Sequence, residues 1–424
     1  MIATEIEERA WLRWVILGVI SIILFGSYYV YDLFSPINDF IQDSMGIDNS
    51  TYGLLATFYS LPNLLFLVVL AGVILDRAGI KKAGIIFGLL CVVGSLITTL
   101  AAGRSFTWML IGRMVFGFGS EAVILVVNKV IAKWFKGKEL GFAFGMNIVI
   151  CRLGTIAALN SSAQIMNHFG SWRWSVWAGT IVMFLSFLAF LVYIYLERIN
   201  EERLAKVYEE EEKFKLSEVL KFGPSFWFIS VLCVTFYSAM FPFLVHAPRL
   251  LQLQFGMSAA KSGFYTSLAT WATIFCTPLF GLLVDKKGWR VLIMIIGSLL
   301  LFPAHLMLGL TSVHPAVPFL LMGVSFSLVP AALWPAVPII IREKYLGTAY
   351  GLIGWVQNIG LTVFPWVGGL LVDKAGGNDY TYMQIMFASL GFVGLLFSFL
   401  LKASDKKNNL GLELPSREAQ TEKD

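Results

Sequence analysis

Apolar residues run along this chain in blocks of about twenty or more, broken by short polar turns. The blocks fall at 11–33, 51–75, 83–102, 106–132, 139–165 and 172–196, then at 224–247, 259–284, 290–312, 315–341, 347–372 and 382–402. At ~1.5 Å of rise per residue each covers the ~30 Å hydrocarbon core of a bilayer as an α-helix. The one long interruption is 197–222, ERINEERLAKVYEEEEKFKLSEVLKF, whose charge density excludes it from lipid. Leu204, Val207 and Tyr208 recur there at helical spacing, which predicts a solvated amphipathic helix between two bundles. The pattern therefore predicts an all-α membrane protein with twelve transmembrane helices: a six-helix bundle over 1–196, a charged linker over 197–222, a second six-helix bundle over 223–402, and a disordered polar tail over 403–424.

Composition rules out a soluble alternative. Hydrophobic residues make up 57% of the chain, charged ones 14%, and mean hydropathy is +0.75. A soluble domain carries about 25% charged residues, so too few remain here to coat a surface facing water. The net charge of +5 matters through its placement. Arg9 and Arg13, then Arg77, Lys81 and Lys82, then Lys133, Lys136 and Lys138, then Lys286, Lys287 and Arg290, then Arg342 and Lys344 all fall on the face that also holds both termini. Only Arg104, Arg173, Arg249, Lys261 and Lys374 lie opposite, and this bias places both termini in the cytoplasm. It is an orientation signal; no basic stripe interleaved with aromatics points to nucleic acid. The four cysteines all fall inside predicted spans and read as packing residues. With four histidines and no nucleophile–His–acid set, metal cluster or phosphate loop, the chain reads as neither an enzyme nor a cofactor protein.

The two halves share a repeat. Gly72-Val-Ile-Leu-Asp76-Arg77-Ala-Gly79 follows the second span, and Gly281-Leu-Leu-Val-Asp285-Lys286-Lys287-Gly288 follows the eighth. A fainter echo, Gly369, Asp373 and Gly376, follows the eleventh. Glycine lets helices approach closely, and an aspartate can accept bonds from a neighbouring helix N-terminus. Asp76, Arg77, Gly79, Asp285, Lys286 and Gly288 are thus expected to act in structure and gating. Duplication of this kind implies a substrate site between the halves near mid-membrane.

Charges inside the membrane are costly and need a partner or a wet cavity. The second half carries none in its helix interiors, Arg249 and Lys261 falling at helix ends, whereas the first has Arg113, Glu121, Lys129 and Arg152. Glu121 lies fifteen residues into the fourth span and Arg152 thirteen into the fifth. At ~1.5 Å per residue both come to about 20 Å of depth, from opposite faces. Arg113, Gly117, Glu121, Leu125 and Asn128 form one helical stripe. A purely structural ion pair is one account of Glu121 and Arg152, although apolar replacements usually match buried pairs in stability. The alternative is a clamp for a zwitterion, with Glu121 receiving an ammonium and the planar fork of Arg152 a carboxylate. Arg113, nearer the outer end, is expected to serve packing or gating. Lys129 is expected to snorkel. Asn49-Ser50-Thr51 reads either as a glycosylation sequon or as a helix cap, the cap preferred.

The repeated loop resembles the motif-A loop of the major facilitator superfamily, and Leu110, Arg113, Gly117 and Gly119 resemble its motif B. The proline-containing fifth-helix signature of the drug/proton antiporters is missing; Gly145-Met-Asn-Ile-Val-Ile-Cys-Arg152 stands there instead. A narrower likeness covers both halves: the chain resembles the lysosomal dipeptide transporter branch. Its strings include Gly112–Glu121, Trp134–Leu140, Arg152-Leu-Gly154-Thr, Tyr59-Ser60-Leu-Pro62-Asn63, Phe236–Phe243, Leu333-Trp334-Pro335 and Leu346–Gly351, with Gln357-Asn358-Ile-Gly360 beyond. The resemblance implies the major facilitator fold, a uniporter of dipeptides, Glu121 at the peptide amine and Arg152 at its carboxylate. Asn128, Tyr59, Tyr237, Trp334, Gln357 and Asn358 complete the expected substrate-contact set.

The partner implied is a small molecule, a dipeptide or another small zwitterion or anion, with lipid around the protein, no nucleic acid and no cofactor. A monomer in a plasma or bacterial inner membrane is expected, because neither a sorting signal nor a reason for an accessory subunit is visible. An organic-anion or monocarboxylate carrier is the first alternative, and a substrate-sensing receptor the second.

Overall fold

The computed structural model describes residues 2–135, 139–200, 222–342 and 345–415, and every regular element among them is helical. Lipid offers no partner for backbone amides and carbonyls, so each apolar block satisfies its own as a helix. In chain order the helices are α1 (Ile2–Asp32), α2 (Asn38–Met45), α3 (Asn49–Leu64), α4 (Leu67–Ala101), α5 (Phe106–Phe135), α6 (Leu140–Phe169) and α7 (Arg173–Asn200). There follow α8 (Pro224–Phe255), α9 (Ala259–Lys287), α10 (Arg290–Leu310), α11 (Ala316–Ile340), α12 (Leu346–Lys374) and α13 (Thr381–Asn408).

Eleven of the expected spans fall on one helical segment each; the second does not. The apolar block over 51–75 is cut by Phe66, whose positive φ of 60° ends α3 and starts α4. The break expected between 75 and 83 falls at Gly79 (φ 75°, ψ 166°), whose non-helical angles divide α4 into two segments, the second continuing to Ala101. Those angles are open to glycine alone among ordinary residues.

The described part of the tail also differs from expectation, while 416–424 lies outside the described residues. α13 runs on to Asn408, and residues 409–415 fold back rather than trailing away. Leu412 is fully buried, which supplies the apolar anchor that the polar composition of the tail conceals. The amphipathic helix expected in the linker falls on 201–221 and lies outside the described residues, apart from Glu197–Asn200, which end α7.

Two compact units emerge. The first holds α1, α2, α4–α7 and α3 from Phe58 onward; the second holds α8–α13 together with Asp48–Thr57. In the second, the core is apolar and aromatic, with Phe226, Phe236, Phe243 and Phe319 at or near zero exposure. Its polar groups are mostly hydroxyls that donate back to their own helices, as Ser230 does to Phe226 and Thr266 to Ser262. In the first unit the interior is charged, and the candidate site lies there.

Candidate functional site

Two close approaches build the site in the first unit. At Gly117 a Cβ would collide with the carbonyl of Tyr59, so α5 and α3 touch backbone to backbone. At Gly154 a Cβ would collide with the carbonyl of Phe25, so α6 meets α1 in the same way. The first contact sets the Tyr59 hydroxyl against the next turn of α5, where it donates to Glu121 Oε1 at 3.1 Å. Asn63, one turn further along α3, also hydrogen-bonds the Glu121 carboxyl. The Tyr59 hydroxyl pairs as well with Ser120 Oγ at 3.0 Å, and Ser120 in turn pairs with Ser27 of α1. Ser27 and Ser120 are buried, so this row of hydroxyls is shielded from lipid.

The second contact sets Arg152 against α1. Its guanidinium carbon lies 5.4 Å from the centre of the Tyr28 ring. The same phenol stands in the electrostatic field of Arg152, Glu121 and Asp32 together. Arg152 of α6 thus faces the ring of Tyr28, while Glu121 of α5 is held by Tyr59 and Asn63, and Asp32 adds a second carboxylate within electrostatic reach of Arg152 and Arg113.

Arg113 is 2% exposed and is held differently. It donates to the Val30 carbonyl at 3.1 Å, and its guanidinium carbon lies 5.0–5.6 Å from the rings of Tyr31, Phe34, Tyr59 and Phe116. Four aromatic faces and a carbonyl supply the electron density that water would otherwise give this cation. Tyr59 is therefore shared: its ring faces Arg113 while its hydroxyl serves Glu121. Asn128 is partly buried, two turns beyond Glu121 on the same face of α5.

Other sequence-selected residues fall in the second unit. Tyr237 and Trp334 are brought together, Trp334 Nε1 donating to the Tyr237 hydroxyl at 3.0 Å, with Phe241 and Phe326 packed on Tyr237. Gln357 accepts from Cys233 Sγ at 3.5 Å, and Asn358 donates to the Gly354 carbonyl of its own helix at 3.0 Å. Sequence reasoning missed Tyr28 and Ser27 altogether, and it quoted Asn63 and Ser120 without giving them a role.

The repeated loops divide in their partners. Asp76 takes the ammonium of Lys129 at 2.6 Å, so Lys129 pairs with a carboxylate rather than merely reaching for water. Arg77, Asp285 and Lys286 are exposed, and Gly288 is buried in a turn with φ 73°. The echo at Asp373 caps α3: its carboxylate accepts from the amides of Asn49 (3.0 Å) and Ser50 (2.8 Å) and from Asn49 Nδ2 (2.8 Å). Asn49 Oδ1 in turn accepts from Arg249 and from the Tyr380 hydroxyl. The capping of α3 is thus shared between Asp373 and Asp48, whose Oδ1 accepts from the Thr51 amide at 2.8 Å, and Ser50 and Thr51 are not the caps. Among the described residues no group of His, Cys, Asp and Glu side chains is placed to hold a metal ion.

Comparison with known proteins agrees with this architecture. The family model for the Major Facilitator Superfamily matches residues 20–365 and 248–421. The lysosomal dipeptide transporter MFSD1 of Danio rerio is 32% identical over 402 residues, covering 92% of this chain and 86% of that protein. Its Homo sapiens counterpart is 29% identical over 418 residues, covering 96% and 89%. Among solved structures, a bacterial homologue of the human lysosomal transporter Spinster, inward-facing and unoccupied, aligns with a TM-score of 0.71 at 16% identity, covering 93% of this chain and 98% of that one. The two-unit helical fold, the repeated loop and these matches together make the chain a member of the major facilitator superfamily, and a relative of its MFSD1 dipeptide transporters.

Proposed function

We propose that this transporter carries dipeptides by alternating access, grasping the peptide termini with Glu121 and Arg152. The observation that carries the proposal is a guanidinium over the ring of Tyr28 and a carboxylate held by the Tyr59 hydroxyl in the same unit. A dipeptide backbone spans at most about 7 Å at ~3.3–3.6 Å per residue, so one pair of opposite charges can meet both of its ends. Glu121 takes the ammonium, presented by Tyr59 and Asn63. Arg152 takes the carboxylate through two parallel bonds, with Tyr28 beneath its plane. The second unit offers aromatic and amide groups at Tyr237, Trp334, Gln357 and Asn358 in place of charge, a chemistry that tolerates varied side chains. The names and coverage of the MFSD1 relatives support the same substrate class.

A thermal-shift screen of purified protein against dipeptides, tripeptides, free amino acids and monocarboxylates tests the reading. Dipeptides are expected to stabilise the parent, to lose that effect in Arg152→Ala and to keep only part of it in Glu121→Gln. Stabilisation by monocarboxylates alone would replace the dipeptide assignment with an organic-anion one. We propose that both termini are cytoplasmic, on the bias of Lys and Arg between the two faces, in a protein that acts as a monomer in a plasma or bacterial inner membrane. Single cysteines at Ala3 and Ala419 should resist a membrane-impermeant thiol reagent in intact cells and react once the membrane is opened.

A further inference from the structure

The turn between α9 and α10, where the second copy of the repeated motif stands, is covered by the chain's own C-terminal segment. Arg290, the first residue of α10, is 2% exposed and donates to the carbonyls of Leu412 (3.3 Å) and Leu414 (2.6 Å). The Trp289 amide donates to the Glu413 carbonyl at 3.1 Å. Glu413 Oε1 accepts from the Leu292 amide at 3.2 Å and so caps the start of α10 from outside that helix. Leu412 is fully buried. Its own amide is fixed by Asp405 Oδ1 at 3.1 Å, which ties the segment to the end of α13. Gly288 completes the fit: a Cβ there would collide with the carbonyls of Glu413 and Leu414.

The corresponding turn in the first unit is secured in another way. There Asp76 of the motif is held by Lys129, a cation from α5 of the same bundle. The matching helix of the second unit, α11, contains no charged residue. The C-terminal segment secures this second turn instead, through its carbonyls on Arg290 and the Trp289 amide and the Glu413 carboxylate on the Leu292 amide. It joins α13 through Asn409 (φ 49°) and Gly411 (φ 78°), two left-handed positions that turn it back onto the bundle. On release, water can take over its hydrogen bonds, and the burial of Leu412 is what opposes release.

We propose that this turn is a peptide-docking site whose ligand is Leu410–Leu414 of the same chain, and that the docked segment is an autoinhibitory strap on transport. It ties the ends of α9, α10 and α13 together. Any conformer in which these ends separate must first break the ties, and a ligand that favours one conformer slows departure from it in proportion to that preference. The release of the strap by a competing peptide, or by a change in the charge of Glu413, then frees the cycle.

The test uses the protein reconstituted in liposomes: the parent, a full-length Leu412→Asp variant, and a chain ending at Asn409. Initial uptake of alanyl-alanine and of lactate is followed, and the substrate that the parent carries supplies the rate. Both variants are expected to raise the maximal rate several-fold at unchanged half-saturation. In parallel, a glutamate-specific protease should cut after Glu413 faster in Leu412→Asp than in the parent, a measurement that needs no substrate. Failure to carry alanyl-alanine while lactate is carried sinks the dipeptide reading and leaves the strap to be judged on lactate. Rates equal to or below the parent's in both variants overturn the strap, as do a fall in thermal stability without a gain in rate and equal cleavage at Glu413.

Discussion

Tyr59 concentrates several interactions in one side chain, with its ring against Arg113 and its hydroxyl on Ser120 and Glu121. Tyr59→Phe keeps the ring and removes only the hydroxyl. A hydrogen bond to a charged group contributes about 1.5–3 kcal/mol, so affinity for dipeptides with a free amine should fall about tenfold or more. Affinity for N-acetylated dipeptides, which offer Glu121 no ammonium, should hardly change, and titration calorimetry with matched peptide pairs checks this. Ser120→Ala should move in the same direction by a smaller factor, because it acts on Glu121 through Tyr59. Equal losses for acetylated and free peptides would mean that these hydroxyls serve only packing. At this scale the charged members of the site were legible, because Glu121 and Arg152 are expensive inside an apolar block and need a reason to be there. Tyr28, Ser27 and Ser120 were not. A hydroxyl in a transmembrane helix usually bonds to its own backbone, and only tertiary pairing sets these apart.

Helix continuity is set by features that hydropathy does not register. The apolar pattern marks where the chain meets lipid, and it placed eleven spans on single helical segments, with the break at Gly79 inside a gap it left between 75 and 83. It could not see that Phe66 ends α3 inside an unbroken apolar block. Both breaks are backbone events at single residues. They lead to contrasting expectations for two glycines. A Cβ at Gly79 meets no atom within 4 Å, so Gly79→Ala feels only the glycine-only backbone angles, at a cost of about 1–3 kcal/mol. It should lower the midpoint of thermal unfolding by a few degrees while binding persists. Gly154→Ala instead drives α6 off α1 at the Phe25 carbonyl and moves Arg152 with it. Overpacking of this kind costs about 1–3 kcal/mol, so dipeptide affinity should drop about tenfold or more even in protein that still purifies as a single species. Native-like affinity in Gly154→Ala would show that the α1–α6 approach does not position the guanidinium.

At the level of the whole molecule, the division into two halves was legible from the charged linker and the duplicated loop. The membership of Asp48–Thr57 in the second unit was not, because it depends on Asp373 capping α3 across more than three hundred residues of sequence. The fold of 409–415 was equally hidden, because its buried leucine, Leu412, lies in a polar stretch. The tail also carries a pH dependence. Burial raises the Glu413 carboxyl above its ordinary value, against the opposing Leu292 amide, Lys402 and Arg290 and with the aid of Asp405. A group raised on docking binds its proton more tightly when docked. Its contribution to docking is therefore fully present below the ordinary value and is lost as pH climbs through the docked value. Amide hydrogen exchange in 410–414, corrected for intrinsic rates, should be slower in mildly acidic buffer than at neutral pH, and Glu413→Gln should erase the difference. The buried amide of Asn49 bears on a different matter, the choice of production host. An oligosaccharide added to Nδ2 while the chain is still emerging would remove the bonds to Asp373 and Gly377 and could not fit the space they occupy. Cells that decorate such sequons should accumulate sugar-bearing material that aggregates, while a bacterium, or a Thr51→Ala gene in yeast, should yield the folded carrier.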